Sequence, residues 1–150
     1  MKEIDEIILG VDYGERTVGL ALGRNGLVAP LKNIQGNHGL TAINEISKTA
    51  LINKCAKIVV GLPLNTAGRE TALSRKVRHF VKLMRVYIKI PITFQDEFST
   101  SKEALKEAVY GDLSKKRRKE IDHYSAALIL KNYYNFLEDK KRINSERERF

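Results

Sequence analysis

The sequence predicts an α/β domain built on a five-stranded mixed sheet with helices on both faces. Three short β-prone runs follow one another near the start of the chain, and apolar residues then recur alternately at helical and strand-like spacings. A meander followed by α/β crossovers gives the strand order 3-2-1-4-5, in which strand 2 is antiparallel to the rest. Functional groups in such a sheet gather at the carboxyl ends of the central strands, here strands 1 and 4.

The first three strands are predicted within the first third of the chain. The run from Ile7 to Val11 is strongly β-prone and is followed by a turn at Gly14. The runs Val18 to Leu22 and Leu27 to Ile34 are separated by the turn-forming segment Gly23-Arg24-Asn25-Gly26. Short turns between consecutive strands indicate an antiparallel meander.

Helices and strands then alternate. Apolar residues spaced three to four apart between Leu40 and Ile52 predict an amphipathic helix. Lys57 to Gly61 is a short apolar strand, and a loop follows it as far as Gly68. We expect a helix from Arg69 to Arg85 and a fifth strand from Ile90 to Gln95.

The last part of the chain is predicted to be helical. Ser99 or Thr100 can N-cap a helix that ends at Gly111, and a final helix runs from about Lys116 to Leu137. The charged residues beyond it are expected to be frayed or disordered. We therefore expect one domain over residues 1–138 and a charged C-terminal tail over residues 139–150.

Composition and charge restrict the partners of this chain of 150 residues. It has 27 Lys and Arg against 18 Asp and Glu, a formal charge of +9, which favours polyanions such as nucleic acid. No apolar run approaches the roughly 18 residues that span a bilayer, and the amino terminus is acidic, so no membrane partner is expected. The lone Cys55 rules out an internal disulfide framework and agrees with a cytoplasmic location.

Asp12 directly follows the first predicted strand. Period-two alternation places it on the same face as Ile8 and Gly10. A carboxylate at the end of a buried strand is costly unless it is paired or bound to a cation. An Asx turn that closes the hairpin, with Gly14 at positive φ, is the alternative explanation.

Two further acidic sites are predicted to meet Asp12 at the same edge of the sheet. Asp122 begins a helical face that continues with apolar residues such as Ala126, although an acid near a helix N-terminus is also favoured by the helix dipole. Asp96 and Glu97 follow the fifth strand, where a solvated loop is the simplest explanation of the pair taken alone. If the sites converge, carboxylate oxygens suit Mg²⁺ or Mn²⁺ rather than zinc, and such ions support phosphodiester hydrolysis.

Two basic segments are candidates for holding a phosphate backbone. The predicted helix from Arg69 to Arg85 is rich in Lys and Arg and has one acid, Glu70. Five cationic residues, Lys115–Lys119, immediately precede Asp122. Either segment alone would also be explained by a solvated basic face.

Four motifs occur in order between residues 9 and about 134. They are Leu9–Gly14 with Val18–Ala21, Val60–Asn65 with Gly68, Asp96-Glu97 with Ser99-Thr100, and Ile121-Asp122 with Ala126–Leu130. Together they resemble the YqgF/RuvX family of RNase H-like nucleases, described as candidate Holliday junction resolvases and as pre-16S rRNA processing nucleases. The resemblance implies an RNase H-like fold.

The resemblance also implies an activity and a partner. It implies a Mg²⁺-dependent (or Mn²⁺-dependent) nuclease that processes the 5′ end of pre-16S rRNA in ribosome biogenesis, with Holliday junction resolution in DNA recombination as the alternative. The partners would be an rRNA precursor or branched DNA, together with ribosomal particles. We expect a monomer or a weak homodimer.

The site residues are carried over from the matching motifs. Asp12, Glu97 and Asp122 are the implied catalytic and metal-binding acids, and Asp96 is the reserve if Glu97 points away. The nucleic-acid contacts implied by the motifs and the basic segments are Arg16, Asn65, Arg69, Arg75, Arg78, Lys116, Arg117 and Arg118.

The chain departs from the family pattern at three positions. Phe98 stands where an Arg usually follows Asp-Glu in the family. The missing Arg puts one phosphate or carboxylate contact in question, but not the cluster of metal-binding acids. Thr17 stands where a basic residue is common, beside Arg16, and Ser125 replaces the first of two expected alanines.

Two other classes of function share some of these features. Asp12-x-Gly14 with Gly19 also resembles the phosphate-binding hairpin of actin-like ATPases and sugar kinases, but those proteins close two lobes over the nucleotide, and this sequence has no P-loop. A non-catalytic nucleic-acid binding module would keep the basic face and would tolerate Asp12→Asn.

Overall fold

A computed structural model describes residues 5–36, 39–98 and 115–149, with side chains over 5–36, 39–97 and 124–149. In chain order the elements are β1 (Ile8–Tyr13), β2 (Thr17–Arg24), β3 (Leu27–Gln35), α1 (Gly39–Ile52), β4 (Lys57–Leu64), α2 (Ala72–Tyr87), β5 (Ile92–Phe98) and α3 (Lys115–Glu148). The helix expected to begin at Ser99 or Thr100 and to end at Gly111 lies outside the described residues.

The five strands form one sheet in the order β3-β2-β1-β4-β5. β2 is antiparallel to its neighbours β1 and β3, whereas β4 is parallel to β1 and β5. Asn25 and Gly26, both at positive φ, form the two-residue turn between β2 and β3. The predicted order and the single antiparallel strand are confirmed, and β1 and β4 are central.

Helices cover both faces of the sheet, as predicted. The face covered by α1 and α2, here the α1/α2 face, carries the larger core, in which Val11, Val60, Ile46, Val77 and Met84 are buried together. The opposite face, here the α3 face, packs Ile8 and Val59 against Ala126, Ile129 and Leu130. Alternation along β1 and β4 thus supplies both cores from the same two strands.

Two glycines let α3 lie close to the sheet. A Cβ atom on Gly10 would lie 2.6 Å from Leu130 Cγ, and one on Gly23 would lie 2.8 Å from the Tyr134 hydroxyl. Real Cβ atoms do not approach other heavy atoms so closely, so larger residues at these positions would force the helix outward. The glycines of β1 and β2 therefore set the distance between α3 and the sheet.

Strands β4 and β5 extend further than predicted at their carboxyl ends. β4 was expected to end at Gly61 and β5 at Gln95, but the parallel register pairs Leu62 with Asp96 and Pro63 with Glu97. Asp96 and Glu97 are therefore strand residues rather than loop residues. Each extra residue in one strand is paired with an extra residue in the other, which stabilises both ends.

Helix α2 begins at Ala72, so the predicted start at Arg69 was wrong. Thr71 is the N-cap and forms a capping box with Ser74, in which each side chain bonds the other residue's backbone N–H, at 3.3 Å and 2.9 Å. Arg69 lies in the turn before the helix.

Helix α3 continues through Glu148, so the end predicted at Leu137, with a frayed tail, was wrong. The added turns consist mainly of Glu, Lys and Arg, which are good helix formers, and Arg142 pairs with Asp139 one turn away at 3.7 Å. Neither α3 nor another helix in the described ranges is both long and apolar enough to cross a membrane.

Candidate active site at the carboxyl edge of the sheet

Asp12 lies inside β1, on the α3 face, and is half-buried. It is paired across β2 with Gly19, and the alternation that places Ile8 and Gly10 against α3 places Asp12 there too. The turn after β1 is closed by a backbone hydrogen bond from Gly14 N to Thr17 O at 2.9 Å. A Cβ at Gly14 would lie 2.8 Å from that carbonyl oxygen, so close approach explains this glycine; the described glycines with positive φ are Gly26, Gly36 and Gly68.

Glu97 is buried on the same face, with 8% of its surface exposed. A Cβ on Gly61 would lie 2.6 Å from Glu97 Oε2 and 2.5 Å from Ile129 Cδ1, so the carboxylate occupies the space beside Gly61 under α3. Asp96 is exposed and is in register with Leu62, whose side chain belongs to the core of the opposite face. The structure therefore favours Glu97 over the reserve candidate.

The sheet register brings Asp12 and Glu97 to the same edge. β1 and β4 are paired up to Val11 and Val60, so that Asp12 comes level with Gly61, and β5 carries Glu97 on the other side of β4. Gly61 has no side chain to fill the space between them. A charged carboxylate as buried as Glu97 requires cations or hydrogen-bond donors nearby.

The backbone of Asp122 lies near the same edge. The Ala126 carbonyl lies beside Gly10, and Lys57 Nζ at the start of β4 donates to the Tyr133 hydroxyl at 3.0 Å. α3 therefore runs antiparallel to β1 and β4, and its N-terminal part lies toward their carboxyl ends. Asp122 is one helical turn before Ala126, and its side chain is outside the described ones.

The donor chemistry of these acids fits a hard divalent cation. Asp12 and Glu97 offer carboxylate oxygens, the ligands that Mg²⁺ and Mn²⁺ prefer, and the backbone of Asp122, the third predicted acid, lies toward the same edge of the sheet. Over the part of the chain whose side chains are described, no group of three or more His, Cys, Asp or Glu is arranged to hold a metal ion.

The turn between β4 and α2 presents Arg69. Asn65 Oδ1 accepts hydrogen bonds from the backbone N–H groups of Ala67 and Arg69, both at 2.9 Å, and Asn65 N donates to Arg69 O. Asn65, predicted as a nucleic-acid contact, thus shapes the turn, while Arg69 and Arg16 are exposed. Both arginines lie on turns that directly follow central strands, and therefore at the same edge of the sheet as the candidate acids.

The cations of α2 fall into two groups. Arg78 forms an ion pair with Glu70, and its guanidinium lies 5.1 Å from the centre of the Phe94 ring. Arg85 lies 5.7 Å from the same ring and donates to Ile92 O at 3.0 Å, so both arginines attach α2 to β5. Arg75, three residues before Arg78, is also exposed and lines a groove between α2 and the start of α1.

The remaining predicted contacts, Lys116, Arg117 and Arg118, lie in the first turns of α3, and their side chains are outside the described ones. Their backbone positions precede Asp122 on the same helix. They are therefore on the element that approaches the carboxyl edge.

A groove between α2 and the start of α1 was missed by the sequence reasoning. It has a volume of about 470 Å³ and is lined among others by Tyr13, Arg75, Lys76, His79 and Phe80. The sequence pattern does indicate which side chains share a face. Residues three to four apart on α2 lie on one side of the helix, and Tyr13, next to Asp12 in a strand, faces the opposite side of the sheet.

Cys55 is buried at the other end of the sheet, beside the first residues of β4. Burial raises the pKa of its thiol to about 11. The thiol is therefore neutral at neutral pH and unsuited to act as a nucleophile or a metal ligand.

Comparison with known proteins agrees with this geometry. A family model described as "RuvX: Holliday junction resolvase" matches residues 6–135. A protein of Syntrophomonas wolfei is 35% identical over 129 residues, covering 84% of this chain and 92% of its own. A protein of Bacillus subtilis is 32% identical over 138 residues (87% and 98%), and one of Dictyoglomus thermophilum is 32% identical over 133 residues (85% and 93%). All three are named "Putative pre-16S rRNA nuclease", and the resemblance carried by the four motifs is confirmed.

Proposed function

Because the chain belongs to the RuvX family, we propose that it is a metal-dependent nuclease that hydrolyses a phosphodiester bond at the 5′ end of pre-16S rRNA. One observation carries the proposal: Asp12 and Glu97 reach the same face of the sheet on either side of Gly61. The rRNA substrate is inferred from the names of the relatives. The proposed partners are precursor rRNA and the ribosomal particles that contain it.

The protein's own groups divide the work of this reaction. Asp12 and Glu97, with Asp122 as the third acid, would hold a Mg²⁺ or Mn²⁺ ion. Such an ion would supply activation of a water molecule and stabilisation of the leaving oxygen. In the hydrolysis the water oxygen bonds to phosphorus and gives up a proton to solvent, the bond from phosphorus to the leaving oxygen breaks, and the leaving oxygen takes up a proton from solvent. The close packing of Glu97 against Gly61 and Ile129 keeps its carboxylate in one position.

The exposed cations near this edge hold the nucleic-acid backbone. Arg16 and Arg69 lie on the turns after β1 and β4, and Arg75 lies near the start of α2. Contacts of this kind fix the position of the substrate without reading its sequence. Binding should therefore weaken steeply with salt, by about 0.9 log unit per duplex phosphate contact for each log unit of salt.

Resolution of four-way DNA junctions is the second candidate function, and the description of the matching family model favours it. Two symmetric cuts need two active sites, and a two-fold dimer is the usual way to supply them. Sedimentation of the active protein separates the two candidates. A strictly monomeric active species would contradict symmetric resolution.

We assign the activity to the cytoplasm. A single buried cysteine is typical of a reducing compartment, where disulfides do not persist. Fractionation of cells that express the tagged full chain checks this assignment, and recovery from an oxidising compartment would contradict it.

The decisive experiment offers precursor rRNA, four-way junction, flap and duplex substrates to the wild type and to Asp12→Asn, with Mg²⁺, Mn²⁺ or EDTA. We expect cleavage of precursor rRNA by the wild type with metal and loss of cleavage in Asp12→Asn. Asp139→Asn, an exposed change near the far end of α3, is the matched control and should cleave normally. Cleavage in EDTA, or equal cleavage by Asp12→Asn, would contradict the proposal.

A further inference from the structure

Strand β1 sends consecutive side chains to opposite faces of the sheet at the candidate active site. Asp12 lies on the α3 face, and Tyr13, the next residue, packs into the α1/α2 face. The Tyr13 ring contacts the Phe80 ring of α2, with centroids 4.8 Å apart and planes inclined by 45°. These two rings line the groove of about 470 Å³ between α2 and the start of α1.

The groove is bounded where α1 meets α2 and has a cationic side. A Cβ on Gly39, the first residue of α1, would lie 3.5 Å from Leu83 Cδ2, so the two helices meet there. Arg75, Lys76 and His79 line the groove from α2 and are exposed. Together with the two rings they make an aromatic surface bordered by positive charge.

This combination matches the chemistry of a nucleotide. A base can stack on an aromatic ring whatever its identity, and cationic side chains bind the phosphate beside it. Lys76 Nζ lies 3.6 Å from Glu15 Oε1, but both side chains are largely exposed, at 60% and 73%. Ion pairs this exposed are weak, so a phosphate can replace Glu15 as the partner of Lys76.

We propose that this groove binds one unpaired nucleotide of the substrate, next to the nucleotide whose phosphate meets Asp12 and Glu97. The base stacks on Tyr13, and the phosphate is held by Arg75 and Lys76. The inference rests on the proposed function, because it places the groove on the same strand of nucleic acid that passes the carboxyl edge.

The nucleotide must be unpaired for two reasons. The first is that the volume of the groove is that of a site for one small molecule. The second is the stacking of paired bases. Bases inside a duplex stack on one another, so their faces are inaccessible to Tyr13. The protein should therefore require a single-stranded nucleotide beside the bond that it cleaves.

The test measures binding in EDTA, so that it does not depend on cleavage. The probes are a short single-stranded RNA carrying the fluorescent base 2-aminopurine, the same RNA in a duplex, and a free mononucleotide. The variants are Tyr13→Leu, Tyr13→Phe and Lys76→Gln. Lys82→Gln, which removes the same charge from an exposed position of α2 outside the groove, is the matched control.

We expect Tyr13→Leu to weaken binding of the single strand about tenfold and to abolish the stacking signal, since a stacked base contributes on this scale. Tyr13→Phe should restore both. Lys76→Gln should reduce the slope of log affinity against log salt by about 0.7, more than Lys82→Gln does. Thermal unfolding checks that each variant is folded. If Tyr13→Leu does not fold, Lys76→Gln, which changes only the surface, still tests the inference.

Three results would overturn the inference. Tyr13→Leu and Lys76→Gln could bind the single strand as tightly as Lys82→Gln does, the duplex could bind with the same dependence on Tyr13, or the mononucleotide could bind as tightly as the oligonucleotide. Failure of the proposed function has a different signature: the wild type would cleave no substrate with metal, while the groove variants still weakened binding in EDTA.

Discussion

The two faces of the sheet are packed in different ways, although the same strands supply both. On the α3 face, Gly10, Gly23 and Gly61 let a helix approach until there is no room for a methyl group. On the α1/α2 face, bulky side chains such as Ile46 and Met84 fill the interface, and a groove remains between the two helices.

The difference separates the two tasks that we infer for the molecule. The carboxylates at the α3 face need fixed positions, and close packing provides them because few alternative conformations fit. The groove on the other face must accept bases of different shape, and it lies between elements that are not in full contact. Alternation along β1 connects the two, since Asp12 and Tyr13 are neighbours in sequence.

The largest effect should come from the buried carboxylate. Glu97→Gln removes a charge that we propose holds the cation, and stabilisation of this kind contributes several kcal/mol, so cleavage should fall about a hundredfold or more. Asp96→Asn makes the same chemical change one residue away, on the exposed opposite side of β5. Because exposed charges contribute little free energy, this variant should lower the cleavage rate less than about threefold. Single-turnover cleavage rates check both variants. An equal loss in the two would contradict the assignment of the acid to the α3 face.

The next largest effect should come from adding one carbon atom beside that carboxylate. In Gly61→Ala the new Cβ would lie 2.6 Å from Glu97 Oε2 and 2.5 Å from Ile129 Cδ1. Both atoms are side-chain ends and can shift, so the cost in unfolding free energy should lie near the low end of the about 1–3 kcal/mol that overpacking costs, while the shift displaces Glu97 and should slow cleavage about tenfold or more.

Gly39→Ala is the matched control for stability. Its Cβ would make only an ordinary contact, 3.5 Å from Leu83 Cδ2, within helix α1. Urea unfolding should give Gly39→Ala a stability equal to or above that of the wild type. A destabilisation as large as that of Gly61→Ala would show that the two faces do not differ in their tolerance of added volume.

The sheet was predictable from the sequence because its strands carry local signals. Alternation along Ile8, Gly10 and Asp12 predicted the face on which Asp12 lies, and Asn25-Gly26 marked a hairpin turn. The ends of β4 and β5 were not predictable in this way. Their last residues, such as Leu62 and Asp96, are strand residues because they pair with each other, which depends on contacts distant in sequence.

The candidate site was predictable in its acids and less so in its cations. Asp12 stands out because a carboxylate is unusual at the end of an apolar strand, whereas Glu97 was singled out by the motif that resembles the family and not by a local pattern. All the cations of α2 look alike in sequence, and only the fold shows that Arg78 and Arg85 contact Phe94 while Arg75 lines the groove. The helical spacing places the groove-lining residues of α2 on one face, but the width of the groove depends on the distance between two helices, which no local pattern encodes.

A smaller effect should follow from removing the cap that starts α2 at the mouth of the groove. Thr71→Ala deletes the side chain that accepts from Ser74 N, which should cost about 1 kcal/mol of unfolding free energy. Thr71→Ser keeps the hydroxyl and should restore most of it. If the difference between the faces is real, cleavage by Thr71→Ala should change less than cleavage by Gly61→Ala, even where their stabilities are similar.

The smallest effect should come from the far end of the α3 face, away from the candidate acids. Tyr133→Phe removes the hydroxyl that accepts from Lys57 Nζ at 3.0 Å, a bond that should contribute about 0.5–1 kcal/mol. The loss should fall at the low end of that range, because the ammonium is only partly buried and keeps its position 5.6 Å from the ring centre. Urea unfolding measures it against Tyr87→Phe, an exposed change that should be neutral. Cleavage should be unchanged in both, because the Tyr133 hydroxyl contacts Lys57 at the start of β4, whereas the candidate acids lie beside Gly61 toward the other end of that strand. A loss of cleavage in Tyr133→Phe would mean that the whole length of α3 positions the site.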